Sequence, residues 1–246
     1  MSISRVLAQA RVELILMLRR GESLMVTFAI PLGVLVFFSN IDVAKPKGYR
    51  HAVDFLVPGV LALAVMSSAM VSLAIATGFD RRYGVLKRLG ATPLTRAELL
   101  TAKIIMVLTM ETIQVGLVVG VGAVLGWSVP IGLLGAVAVL LIGTVAFAGL
   151  GMLMAGTLRA EATLALANGL FMALLFLGGM AYPLERMPSF LRDVARALPA
   201  AALAECLHGA LSPLHNAAFP VGSLSVLIVW AIALTMLAAR KFRWEE

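Results

Sequence analysis

Charge is scarce in this sequence. Asp, Glu, Lys and Arg make up 13% of its 246 residues, where a soluble domain carries about 25%. That shortage, with 61% hydrophobic residues and a mean hydropathy of +0.99, excludes an ordinary soluble fold. Cysteine is nearly missing too: the one copy, Cys206, rules out an intramolecular disulfide and a multi-cysteine metal site. There is no G-x-x-x-x-G-K-[ST] phosphate loop to cradle ATP and no H-E-x-x-H run of a membrane protease. The formal charge of +7 lies in a membrane context and on no separate basic face, which argues against nucleic acid. No cleavable signal is evident, because arginines interrupt the first apolar stretch.

What the chain does have is apolar runs separated by short polar segments. A hydrocarbon core of about 30 Å takes roughly 20 apolar residues per helical crossing. Six runs read as spans, over 23–39, 55–78, 99–126, 131–156, 162–182 and 219–239. Pro31 predicts a kink in the first, and only WSVP separates the third from the fourth. Ahead of them, Ile3, Val6, Leu7, Ala10, Leu14 and Leu18 recur at helical spacing, with Arg5, Gln9 and Glu13 on another face. That pattern predicts an amphipathic interfacial helix over 1–21. The expectation is an all-α integral membrane protein, a single domain over 1–246 with six transmembrane helices and both termini on one side. Fourteen lysines and arginines fall on the side of the termini and six on the other, so the positive-inside rule places both termini in the cytoplasm. Trp127 and Trp244, at span ends, are expected at the interface.

Between the second and third spans lies FDRRYGVLKRLGATPLTRAELL, residues 79–100. Val85, Leu86 and Leu89 cluster at helical spacing, ringed by Arg81, Arg82, Lys87 and Arg88. Gly90 and the Thr92-Pro93 pair predict a stop, and Thr95-x-x-Glu98 has the form of a capping box that restarts the third span. The picture is a short helix presenting an apolar ridge rimmed by cations. Two readings stand: an interfacial helix binding anionic lipid, or a docking knob for a soluble partner.

The run D-R-R-Y-G-V-L-K-R-L-G-A-T-P-L-T, with Lys103 in the span that follows, resembles the loop between spans two and three of ABC type-2 permeases. The stretch from Gly178, GGMAYPLERMPSFLRDVARALPAAALAECLHGAL, is similar to that family's segment between spans five and six, a P-L-x-x-[ML]-P turn and two short helices. In style the chain looks most like daunorubicin-type drug exporters and their lipid- or polysaccharide-exporting relatives. The resemblance implies that 79–98 is a coupling helix seated in a separate ATP-binding subunit, two copies per transporter, with ATP and magnesium held there and no cofactor in this chain. It implies Gly84, Val85, Leu86, Lys87 and Leu89 as contacts, with Asp80, Arg81 and Arg82 pairing with the partner's charges. Asp80 and Val85 depart from the family's common glutamate and threonine. A second permease chain, identical or related, is implied, as is export of a hydrophobic or amphipathic cargo across a bacterial plasma membrane.

Other residues carry two readings each. Glu111 and Gln114 in span three and Asn168 in span five are candidates for a polar transport path, against hydrogen bonding between spans. Eight residues of helix put Glu111 roughly 12 Å from Lys103. Glu205-x-x-His208 with His215 has a metal-like spacing without a supported third ligand, so no metal and no catalytic residue is expected. Gly116-x-x-x-Gly120, Gly143, Gly149 and Gly151 allow close helix packing. Pro183, Leu184 and Pro188 open an external segment over 183–212, read as a re-entrant helical hairpin that gates the outer side. Two other classes stay open: a membrane scaffold or assembly factor without a transport cycle, and a lipid-modifying membrane enzyme.

Overall fold

The structure, a computed structural model, describes residues 2–19, 21–40, 49, 51–128, 132–180, 184–211 and 219–243. Helices make up the fold, and no strand occurs among the described residues. In chain order these are α1 (Ile3–Arg19), α2 (Gly21–Ser39), α3 (Ala52–Arg82), α4 (Val85–Gly90), α5 (Arg96–Val124), α6 (Leu133–Thr157), α7 (Ala160–Leu177), α8 (Ser189–Arg196), α9 (Pro199–Leu211) and α10 (Val221–Lys241). A 3₁₀ turn, Leu184–Arg186, precedes α8. Among the described residues, α3, α5, α6, α7 and α10 are long and apolar enough to cross a membrane. In α2, which runs through Pro31, the described apolar stretch is the shorter Thr27–Ser39.

The core is built around α3. Its first half, AVDFLVPGVLALAV, is apolar on every side, and every residue from Ala52 to Val65 is buried. A helix apolar all round belongs inside a bundle. Over Met66–Ser72 the helix widens into a π-helical stretch, where Ser67 and Ser68 donate their hydroxyls to the carbonyl of Ala64 at 2.9 Å. Such insertions are frequent at functional places, and this one carries the hydroxyls that meet Glu111 and Gln114 of α5.

Small residues let the other helices approach. Gly151 of α6 lies against the carbonyls of Ala69 and Met70, and Gly149 against the backbone at Leu234 and Thr235 of α10. Gly143 faces Leu203 of α9. At Gly116 and Gly120, by contrast, an added Cβ would find nothing within 4 Å, so that G-x-x-x-G pair packs against no other helix among the described residues. Trp127 is buried, its amide donating to the Gly122 carbonyl at 2.9 Å. The indole fills space beside Gly122. Trp244 lies outside the described residues.

The first helix shows a second departure. The expected stripe of α1 is split: Val6 and Ala10 are buried, whereas Ile3, Leu7 and Leu18 are exposed. The buried face continues through Glu13 and Met17, so a residue assigned to the polar side is turned inward. The reason is that α1 packs Val6 and Ala10 onto Ala102 and Ile105 of α5, leaving the other edge of its apolar arc facing out.

Gly59 of α3 gives a sharp test of this packing. A Cβ added there would run into the backbone oxygen of Met180. We expect Gly59→Ala to destabilise the protein by about 1–3 kcal/mol, read as a lowered Tm in detergent, while Gly116→Ala leaves Tm unchanged or raised. Equal melting of the two variants would contradict the close approach.

Candidate functional site

The basic segment is an extension of α3. That helix runs on to Arg82, Tyr83 closes it, and Gly84 takes the left-handed conformation at φ 67°, turning the chain into α4. A side chain at that angle is strained, so glycine suits the corner. The helix α4 ends at Gly90, and Thr95 and Glu98 then form the capping box, Thr95 Oγ1 accepting from the Glu98 amide at 3.2 Å and Glu98 Oε2 from the Thr95 amide at 2.8 Å.

The ridge does not point outward as expected. Leu86 is buried, Val85 and Leu89 are half-buried, and Lys87 and Arg88 are exposed. Six residues make fewer than two turns, and the leucine that anchors them has to face the chain that carries them. The neighbouring charges are also engaged internally. Asp80 accepts from Lys103 Nζ at 2.7 Å, Arg81 is buried with its guanidinium donating to the Leu158 carbonyl, and Arg82 pairs with Glu161 of α7. Tyr83, 63% exposed, stacks on Phe79 at a centroid distance of 5.9 Å. Sequence reasoning passed over it, although an aromatic at an exposed helix end was a readable signal.

Beneath the segment lies a buried ion cluster. Lys103 is 2% exposed, and its ammonium donates to Glu13 of α1 at 3.0 Å as well as to Asp80 of α3. Glu13 also accepts from Gln9 at 3.1 Å. A second clamp sits nearby: Glu98 accepts the Ser2 amide at 2.7 Å and lies 3.4 Å from the Arg5 guanidinium, which itself donates to the Pro93 carbonyl. Three elements thus meet at one ammonium. Lys103 stood out in sequence as a cation inside an apolar run, but its partners are 23 and 90 residues away.

Deeper in the bundle, Glu111 and Gln114 of α5 are buried. Glu111 accepts from Thr144 of α6 at 2.7 Å and from Ser68 of the π-helical stretch at 3.1 Å. Gln114 donates to the Thr27 carbonyl of α2 at 2.9 Å and to Ser67 at 3.2 Å. The pair knits four helices together. Asn168 is elsewhere, exposed on α7 and donating to the Leu164 carbonyl at 3.0 Å.

At the opposite end, Leu184 is buried with Ala195 and Ala201, Pro188 precedes α8, and Pro183 lies outside the described residues. The helix α8 is exposed at Phe190, Leu191 and Val194. In contrast α9 is almost wholly buried, its Leu203 reaching Gly143 well inside α6. His208 sits with Nδ1 2.7 Å from the Ala204 carbonyl and Nε2 2.9 Å from that of Phe55. Glu205 accepts from Ser223 and lies 3.5 Å from Arg196. The E-x-x-H pair therefore fastens α9 to α3, α8 and α10; His215 lies outside the described residues.

The profile of one protein family, described as ABC-2 type transporter, matches residues 5–211, most of α1 through α9. No curated protein matches the chain significantly. The chain belongs to the ABC-2 type transporter family: it is an all-α, multi-pass integral membrane protein, the transmembrane subunit of an ABC transporter.

Removing one member of the ion cluster tests its weight. Lys103→Met leaves the buried Glu13 and the half-buried Asp80 without their cation, and a broken buried pair costs about 3–5 kcal/mol. Replacing all three, with Glu13→Gln, Asp80→Asn and Lys103→Met together, is expected to restore most of that loss, measured by thermal unfolding in detergent. If the triple variant melts as low as the single one, charge pairing is not what holds these helices.

Proposed function

We propose that this subunit moves a hydrophobic or amphipathic cargo, a drug, lipid or glycolipid, outward across a bacterial plasma membrane, with both termini cytoplasmic. Two separate ATP-binding subunits supply the energy and hold ATP and magnesium. A second permease chain, identical or related, completes the pathway.

The observation that carries this reading is the mechanical setting of α4. It is a short helix joined to the end of α3 by the Gly84 corner, with Leu86 buried and an exposed side that bears Lys87 and Arg88, Tyr83 beside it. A partner gripping that side grips the end of the central helix. Through Asp80–Lys103–Glu13 a push on α3 reaches α5 and α1, and through Arg81 and Arg82 it reaches the α6–α7 connection and α7. Coupling of distant sites needs such rigid elements sharing discrete contacts. The contact set is accordingly shifted from the apolar ridge to Tyr83, Lys87 and Arg88, with Val85 and Leu89 at the edge and Gly84 as the corner. Asp80, Arg81 and Arg82 act on the near side, holding the helix that is pushed.

At the far end, α9 buried against the middle of α6 with exposed α8 above it supports a gate formed by the segment that Leu184 and Pro188 begin. A scaffold or a lipid-modifying enzyme needs neither the exposed side of α4 nor the ties from the end of α3 to α1, α5 and α7.

The test is co-purification from native membrane in mild detergent. Charge reversal at both Lys87 and Arg88 to Glu, which leaves the buried Leu86 intact, is expected to cut recovery of an ATP-binding subunit about tenfold or more and to abolish permease-stimulated ATP hydrolysis. Full recovery and full stimulation with that variant would remove α4 as the contact. Absence of any ATP-binding protein beside the wild-type chain would favour the scaffold, and turnover of a lipid by the isolated chain would favour the enzyme.

A further inference from the structure

Glu111 stands in the middle of a span. It lies 13 residues from either end of the apolar stretch Glu98–Val124, about 20 Å each way at the rise of a helix, and so near the centre of a hydrocarbon core of about 30 Å. The residue is buried. An ionised carboxylate at that depth needs a cation beside it, and among the described residues the elements around it bring none. The helix α6, which supplies Thr144, holds no charged residue from Leu133 to Thr157. On α3, which supplies Ser68, the nearest charged residues are Asp80 and Asp54, 12 and 14 residues off, about 18 Å or more along the helix. On α5 itself the nearest is Lys103, about 12 Å away, and its ammonium is taken by Glu13 and Asp80. The stretch Thr27–Ser39 of α2, beside Gln114, carries no charge either.

The hydrogen bonds point the same way. A hydroxyl has one proton to give. Ser68 Oγ lies 2.9 Å from the Ala64 carbonyl and 3.1 Å from Glu111 Oε1, so its proton serves one of two acceptors. Thr144 Oγ1 is likewise shared between Glu111 Oε2 at 2.7 Å and the Leu140 carbonyl at 2.9 Å. One turn along α5, Gln114 Oε1 is a buried acceptor without a hydrogen-bond partner. The seam is short of donors. A proton on Glu111 Oε1 supplies one and reverses the bond to Ser68: the carboxyl donates to Ser68 Oγ, Ser68 donates to Ala64, and Thr144 donates to Oε2. Both carboxyl oxygens are then engaged, and no charge is buried.

We propose that Glu111 is a proton-binding site: its carboxyl carries a proton while α3, α5 and α6 are closed on it, and gives that proton to water when they part. The inference rests on the membrane-subunit assignment and is independent of what α4 contacts and of the cargo. It makes the contact between α3, α5 and α6 sensitive to pH, with a fixed sign. Parting releases a proton, so a higher pH favours parting and a lower pH favours the closed arrangement. Ser68 belongs to the π-helical stretch of α3, so a shift of that stretch and the loss of the proton are one event.

The experiment is infrared spectroscopy of the full chain in nanodiscs at neutral pH, with the spectrum of Glu111→Gln subtracted. A neutral carboxyl shows a C=O stretch above the main amide band, and a carboxylate absorbs below it. An acid band that moves in heavy water is expected. Thr144→Val removes the donor to Oε2 and is expected to raise the frequency of that band; it reads native Glu111 and does not depend on the folding of the glutamine variant. Carboxylate absorption without the acid band would overturn the proposal, as would an acid band that Thr144→Val leaves in place. Release is read by thermal unfolding. The amide of Glu111→Gln donates to Ser68 and accepts from Thr144 as the neutral acid does. That variant is expected to gain in Tm over the wild type as the pH is raised from about 5 to about 8, because only the wild type gives up a proton on opening. A Tm difference that stays constant across that range would overturn release on parting. Neither readout involves an ATP-binding partner, so failure here leaves the transport reading standing, and failure to recover such a partner leaves the proton site standing.

Discussion

One ammonium group decides how this bundle is assembled. Lys103 sits in an apolar interior at 2% exposure, where an uncompensated charge costs several kcal/mol. It is tolerated because Glu13 and Asp80 reach it from α1 and α3. That requirement fixes three helices at once. The α1 helix has to lie along α5 with its Glu13 side inward, and α3 has to end beside the first turns of α5. The Glu98 clamp on Ser2 and Arg5 then fixes the direction in which α1 runs. Apolar packing alone would leave both free to slide, since one apolar surface is much like another. Charge pairing supplies register.

The same constraint holds α3 along its length. From Ala52 to Met70 every residue is buried, so the helix has no free side into which to bend. Its terminal turns are gripped by Lys103 on one side and by the Leu158 carbonyl and Glu161 on the other. Closely packed elements move by sliding between discrete arrangements, because packed cores are bistable and not continuously deformable. The π-helical stretch at Met66–Ser72 is the natural place for such a step. It marks where the regular hydrogen-bond ladder is already interrupted, and it carries the hydroxyls that bind Glu111 and Gln114.

Much of this was legible in the sequence. Apolar runs gave the long helices, Thr95 and Glu98 gave the start of α5, and Gly90 gave the end of α4. The orientations were not legible, and the reason is physical. In water an apolar stripe has one destination, the core. In a membrane it has two, lipid and protein, and a hydrophobic pattern cannot tell them apart. The arc of α1 was therefore visible while its division, Val6 and Ala10 inward and Ile3 and Leu7 outward, was not. Polar residues were ambiguous for a related reason. Asp80, Arg81 and Arg82 read as contacts for a partner because nothing in a local pattern reveals a lysine 23 residues on or a carbonyl 77 residues on. Ser67, Ser68 and Thr144 carried no signal at all.

This division also bears on where cargo would pass. Glu111 and Gln114 make their bonds to Thr144, Ser68, Ser67 and Thr27, from α2, α3 and α6. For either to meet a cargo through the atoms so engaged, bonds joining three helices would have to open, and each buried polar group left unpaired costs about 1–3 kcal/mol. Asn168 bonds to its own helix, at Leu164, and stands on the exposed face of α7 with Leu164 and Met172. Its bond ties no two helices together. Of the three polar candidates, the two buried ones tie helices of the subunit together, and the exposed one bonds within its own helix.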